Sequence, residues 1–404
     1  MIETASEQRA QGGLSTLFAT SLIQTMASFT VSAPLTVSIA IIGDAHLPET
    51  WIGYYTSLLY LSAMAGSLLT PRLIGSFDGG RIQLGGLAAT LIGFALFARI
   101  AASGTGLALA LGGIVLMGLA YGVIVPASAL LLADRFAPRW QPLVVSIRQT
   151  GVPVGTALVA LIAPLVVLHW GWRNMALVIA LAGGIGFALC IPALIAIPRR
   201  PRGLARPANL LFALRETFRH PATLRLALVS GAYGINQAAL TTYLVPSLVW
   251  LHHLSIGRAA GFLAIATVAG AAARIGFGGT TARFGRPYTH LRLIGLISGL
   301  AWALVLWPAP TALRLTCGAA MLGATAMGWN GILLAQLAHE APRGKTADAV
   351  GAGTALAYGG VLTAPFLYAA VLALAHSKTA AIAALIVLST TAGLVLLGRG
   401  SARA

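Results

Sequence analysis

Twelve apolar runs follow one another along this chain, separated by short linkers. They are 15–42, 51–74, 84–102, 107–132, 141–167, 174–197, 222–250, 259–280, 291–309, 312–338, 348–373 and 378–397. A helix needs about 20 apolar residues to cross the hydrocarbon of a bilayer. Inside hydrocarbon, backbone N–H and C=O groups must be satisfied within the protein, and a run of this length does so as a helix. The expected fold is therefore all-α and integral to the membrane, with twelve transmembrane helices. Composition agrees: the 404 residues are 58% hydrophobic and 9% charged, whereas a soluble domain carries about 25% charged residues.

The basic residues report topology. With the N-terminus inside, 19 of the 26 Lys and Arg fall on the inner side and 5 on the outer side. That asymmetry is the positive-inside pattern. It predicts cytoplasmic N- and C-termini. The net charge of +17 forms no compact basic patch with interleaved aromatics, so nucleic acid is not expected as a partner. The first dozen residues lack the basic region and short apolar core of a cleavable leader, so run one is expected to be a retained span. The one long linker, 198–221, holds Arg199, Arg200, Arg202, Arg206, Arg215 and Arg219 and reads as cytoplasmic, with a surface helix over 209–219. It divides the chain into 1–197 and 222–404. The two parts repeat weakly. Gln24 precedes Pro34 as Asn236 precedes Pro246, and Gly80-Arg81 matches Gly285-Arg286. The reading is two pseudo-symmetric six-helix bundles, an arrangement suited to alternating access around a midplane site.

All nine Asp and Glu (Glu3, Glu7, Asp44, Glu49, Asp78, Asp134, Glu216, Glu340, Asp348) lie in tails, loops or at run ends. Arg148 and Arg274 nevertheless lie inside runs five and eight. A charge in the membrane costs about 2.5–3.5 kcal/mol on insertion scales, and such residues usually line a site or pathway. Two readings are open for each. The guanidinium can snorkel to the inner interface, or it can wait for an anion, which its planar fork binds in bidentate fashion. Beside Arg148, Gln149 and the run Gly151-Val152-Pro153-Val154-Gly155 favour a cavity wall or a close helix contact.

Further stretches carry a family resemblance. Gly278-Gly279-Thr280-Thr281-Ala282-Arg283-Phe284-Gly285-Arg286-Pro287 resembles the G-x-x-x-D-R-x-G-R loop of the major facilitator superfamily, with Ala282 at the usual Asp position. Pro71 to Arg81 is a more degraded copy with its Asp displaced to Asp78. The resemblance implies the two-bundle fold and a cytoplasmic gate around Asp78, Arg81, Arg283, Gly285 and Arg286. Ser146 to Gly155, Gly328-Trp329-Asn330-Gly331 and Gln237 to Tyr243 resemble bacterial cyanate-permease-like and organic-anion carriers, a resemblance that implies a bacterial-type inner (plasma) membrane. In monocarboxylate transporters an arginine at the spacing of Arg274 contacts the substrate carboxylate. Their accompanying Asp and Lys correspond to Gly270 and Leu35, so the proton-coupling part is missing. The resemblance also places spans one, four, seven and ten around the cavity. Their interior polar residues are Gln24, Tyr121, Asn236, Gln237, Trp329 and Asn330, joined by Tyr358 on span eleven and by Gln149. Interhelical hydrogen bonding is the competing role for each amide.

The function expected is a secondary active transporter for a small organic anion (a carboxylate), working by alternating access. Its partners would be that anion, a co-transported proton or exchanged anion, and the lipid bilayer, with the protein monomeric. A proton-coupled drug or metabolite efflux pump of the same fold is the main alternative, but it wants a carboxylate inside the membrane. A non-transporting sensor or an enzyme is a further alternative. No catalytic cluster, metal-ligand spacing or cofactor motif is present, so no cofactor or metal is expected. Cys190 and Cys317 are read as packing residues.

Overall fold

The computed structural model describes residues 2–101, 103–133, 135–136, 144, 147–195, 219–284, 286–341 and 346–398. Every regular element among them is helical. Ten stretches are long and apolar enough to cross a membrane. The other two spans are Trp51–Ser76 (span 2) and the run made of Pro221–Ala238, the π turn Ala239–Tyr243 and Leu244–His252 (span 7). Both are rich in Ser, Thr, Tyr and Gly, because they pack against protein on several sides. The surface helix expected over 209–219 lies almost wholly outside the described residues.

The remaining spans used below are span 1 (Ile2–Thr36, then Ser38–Ala45), span 4 (Gly104–Ala133), span 5 (Gly151–Trp170), span 6 (Met175–Ile195), span 8 (Ile256–Phe284), span 9 (Pro287–Leu306), span 10 (Ala312–Gly328, then Asn330–Glu340), span 11 (Thr346–Ala375) and span 12 (Lys378–Gly398). The first span of each half is irregular, though not at matching positions. Span 1 is interrupted at Val37, after Pro34, and span 7 at its π turn. His46 and His253 close these two spans in the same left-handed turn, with φ of 51° and 53°.

Burial is that of a membrane protein. Leu177, Leu181, Ile185 and Leu189 form an i, i+4 stripe down span 6, and each is 58–62% exposed. In water such a stripe would be a liability, whereas against lipid tails it costs nothing. One buried cluster is built from spans 1–6, around Ile23, Tyr55, Phe94 and Ile179. A second draws mainly on spans 7–12, around Leu240, Trp302, Leu322 and Leu385.

The halves meet where span 5 packs on span 8 and span 2 packs on span 11. At the end remote from the termini the contact is close. Thr56 and Thr242 share a hydrogen bond of 3.1 Å, Ser57 donates to the Leu362 carbonyl at 3.2 Å, and Lys378 pairs with Glu49 at 2.7 Å. Tyr243 stacks on Tyr368 just beneath, with ring centroids 4.2 Å apart.

The glycines at the start of span 5 serve close packing rather than a broken wall, since the helix runs on unbroken from Gly151. A Cβ on Gly155 would sit 2.3 Å from the Thr25 carbonyl and 2.7 Å from the Phe29 nitrogen. Only hydrogen lets spans 1 and 5 approach so closely. Gly155→Ala is therefore expected to lower the unfolding temperature of the detergent-purified protein markedly, overpacking costing about 1–3 kcal/mol. Gly184→Ala, where a Cβ meets nothing within 4 Å, is expected to leave it unchanged.

Candidate functional site

The contact of span 5 with span 1 sets the first arginine. Gly151 lies against Ser21, Gln24 and Thr25, so Arg148, one turn earlier, comes beside Gln24. The Arg148 guanidinium does not snorkel. It is 3% exposed, and Nη2 donates to Gln24 Oε1 at 2.6 Å. Nη1 donates to Gln149 Oε1 at 3.3 Å, while Nε is buried without an acceptor. Gln24 is oriented in turn by donating to Ser28 Oγ at 3.0 Å, and Ser28 reaches towards the Tyr121 hydroxyl at 3.5 Å.

The second arginine arrives from the other half. Span 8 lies close on span 10, because a Cβ on Gly323 would fall within 1.7 Å of the Ala266 carbonyl. Arg274 Nε donates to the Met327 carbonyl at 2.9 Å, next to the break of span 10 at Trp329. Its Nη1 crosses the interface and donates to the backbone carbonyl of Gln149 at 2.8 Å. One residue thus accepts from both arginines, by its side chain from Arg148 and by its main chain from Arg274. No carboxylate among the described residues lies within ion-pair distance of either. The ion pairs near the span ends are local or remote: Arg81 with Asp78, Arg173 with Asp44, and Lys378 with Glu49.

Aromatic hydroxyls stand nearby. Tyr121 is within electrostatic range of both guanidiniums, and Tyr358 within range of Arg148. Tyr60, on span 2, faces Tyr358 with centroids 6.1 Å apart and also interacts with Tyr121. The wall residues expected from sequence lie mainly on spans 1, 4, 7 and 10, and Tyr60 is not among them. The signal available was a phenol in the middle of an apolar run. Gln237 accepts a long bond of 3.5 Å from Asn330, and both are part-buried.

Two expected wall residues are occupied elsewhere. The Asn236 amide donates to Ser298 Oγ at 2.7 Å and accepts from Trp302 Nε1 at 3.0 Å, which ties span 7 to span 9. Trp329 is 1% exposed, donates to the Ala326 carbonyl, and meets Tyr233 edge-on at 5.7 Å. Both pack the second half. At the terminal end, Asp78 caps span 3 (Gly79–Phe97) by accepting from the Arg81 N–H at 2.8 Å and pairing with its side chain. Arg286 is exposed, while Gly285 and the Arg283 side chain lie outside the described residues. Cys190 is buried as expected, whereas Cys317 is exposed on the surface of span 10.

Two buried cations, with no carboxylate partner among the described residues, thus stand at the contact between the two sets of membrane helices. A Major Facilitator Superfamily model matches residues 17–365, and the chain belongs to that family. No curated protein matches the chain. Among solved structures it is similar to a bacterial homolog of the human lysosomal transporter Spinster, in an inward-facing and unoccupied conformation. That pair shares 16% identity with a TM-score of 0.69, covering 97% of this chain and 96% of the other. It is also similar to a peptide transporter POT in complex with sulfate, at 15% identity and a TM-score of 0.74, covering 96% and 94%. At such identities the likeness is one of fold.

The placement of Asn236 gives a test. Asn236→Leu leaves Ser298 and Trp302 without partners in the core, which costs about 1–3 kcal/mol for a buried polar group. The unfolding temperature should fall clearly. Asn330→Ala, which removes only a bond of 3.5 Å, should leave it nearly unchanged.

Proposed function

We propose that this protein is a secondary transporter for a small organic anion, a carboxylate, held between Arg148 and Arg274. The observation that carries the reading is Arg148: 3% exposed, without a carboxylate partner among the described residues, and with Nε unsatisfied. A buried cation held only by neutral amide oxygens is short of countercharge, and a carboxylate supplies both charge and a matching pair of acceptors. Arg274 stands across the interface on the same residue, so one anion would touch both halves. Tyr60, Tyr121 and Tyr358 supply an aromatic, hydroxyl-bearing wall that suits an organic body. Gln24 and Gln149 orient the guanidinium, and Gln237 with Asn330 would line the second half.

In this reading the two bundles are residues 1–197 and 222–404, and both termini face the cytoplasm. The closed end then faces outward, and the structure corresponds to a state closed on that side. Loading would reduce the repulsion between two like charges and favour a compact intermediate, which alternating access requires. Coupling to a proton or an exchanged anion is left open by the acids, which sit at span ends. A cation pump lacks the membrane carboxylate it would use.

The test is a thermal-shift series on purified protein with acetate, benzoate, oxalate, cyanate, nitrate and tetraphenylphosphonium, followed by uptake into proteoliposomes. A carboxylate should stabilise the protein and be transported. Arg148→Ala and Arg274→Ala should each weaken that binding by about 100-fold or more, the loss typical of truncating one member of a buried charge pair. Unchanged affinity in both variants, or stabilisation by the organic cation alone, would sink the proposal.

A further inference from the structure

The Gln149 carbonyl is available to Arg274 for a reason written in the sequence. In an α-helix the carbonyl of residue 149 accepts from the N–H of residue 153. Residue 153 is proline and has no N–H. The structure shows the resulting gap. Ile147 to Gln149 is helical, Thr150 is a turn, and the helix resumes at Gly151. The Thr150 N–H steps back to the Ile147 carbonyl at 3.1 Å, and the Val154 N–H takes the Thr150 carbonyl at 3.1 Å. The Gln149 carbonyl receives Arg274 Nη1 at 2.8 Å instead.

We infer that Pro153 is a positioning residue of the anion site: by withholding an N–H it makes the Gln149 carbonyl the resting acceptor of Arg274, which an incoming anion must displace. The displacement clause rests on the anion reading above, whereas the carbonyl clause rests on geometry alone. Both oxygens that hold Arg274 are neutral carbonyls beside helix breaks, those of Gln149 and Met327. A carboxylate is the stronger acceptor for a guanidinium, so exchange favours the anion. In the empty site Arg274 ties span 8 directly to span 5. In the loaded site that tie runs through the anion to Arg148. The direct bond is thus present only when the carrier is empty, and loading replaces it. Pro153 would then be needed neither for contact with substrate nor for the close packing on span 1, which Gly151 and Gly155 provide.

A double-mutant cycle tests the carbonyl clause without any ligand. The apparent Tm of anion-free protein is measured for wild type, Pro153→Ala, Arg274→Met and the double variant. In the wild-type background Arg274→Met orphans the Gln149 carbonyl. In the Pro153→Ala background the alanine N–H takes that carbonyl, so the Tm loss on Arg274→Met should shrink to about half or less, a coupling that independent sites do not show. Additive losses would overturn the inference, because a proline needed only for packing gives additivity. Benzoate serves as the probe for displacement. Pro153→Ala should bind it several-fold more tightly than wild type, since Arg274 is released beforehand, and equal or weaker binding refutes displacement. The two failures are distinguishable. An additive cycle with benzoate binding lost in both arginine variants removes this inference and keeps the anion reading. A coupled cycle with no anion binding in any variant keeps the Pro153 role and removes the anion reading together with the displacement clause.

Discussion

Two positive charges are kept inside the membrane by neutral oxygens, and both lean on Gln149. The remaining features of the site can be traced to that constraint. Gln24 is fully buried and turned by Ser28 so that its oxygen, not its nitrogen, faces Arg148. Gly151 and Gly155 bring span 5 close enough to span 1 for that bond to form. On the other side, the break of span 10 at Trp329 lies beside the second carbonyl that Arg274 uses. Each support is a main-chain or amide oxygen, so neither guanidinium is neutralised by the groups that hold it.

Much of the fold was legible because hydrocarbon imposes a simple grammar. Apolar length predicts each span, and ten of the twelve meet that criterion within the described residues. Span 7 is weaker by it because Asn236, Gln237, Thr241 and Thr242 lower its hydropathy, and these polar residues bond within the protein. Thr56, Thr242 and Ser57 all bond across the interface. The weak repeat was legible too, and the matched left-handed histidine caps at His46 and His253 extend it.

The site was legible only in part. Charge without acid partners is visible in a sequence, so Arg148 and Arg274 stood out. The glycine and proline run is compatible with a cavity wall or with close packing, and the contacts of Gly151 and Gly155 with span 1 decide for packing. Which amides face the site depends on helix rotation, which composition does not record. Asn236 and Gln237 are adjacent, yet one is spent on Ser298 and Trp302 while the other points towards Asn330. Tyr60 is equally hard to place from sequence, since a phenol in an apolar run reads as well as packing.

The contact at the far end has a further consequence for cycling. Its ion pair, Glu49 with Lys378, is about half and one-third exposed, and such pairs contribute roughly 0–1 kcal/mol. Thr56 also bonds the Ile52 carbonyl of its own helix at 3.1 Å. Were the halves to part, that hydroxyl would keep a partner, whereas Ser57 Oγ would give up its bond to the Leu362 carbonyl. The polar bonds across this end, taken singly, therefore hold the two halves together only weakly.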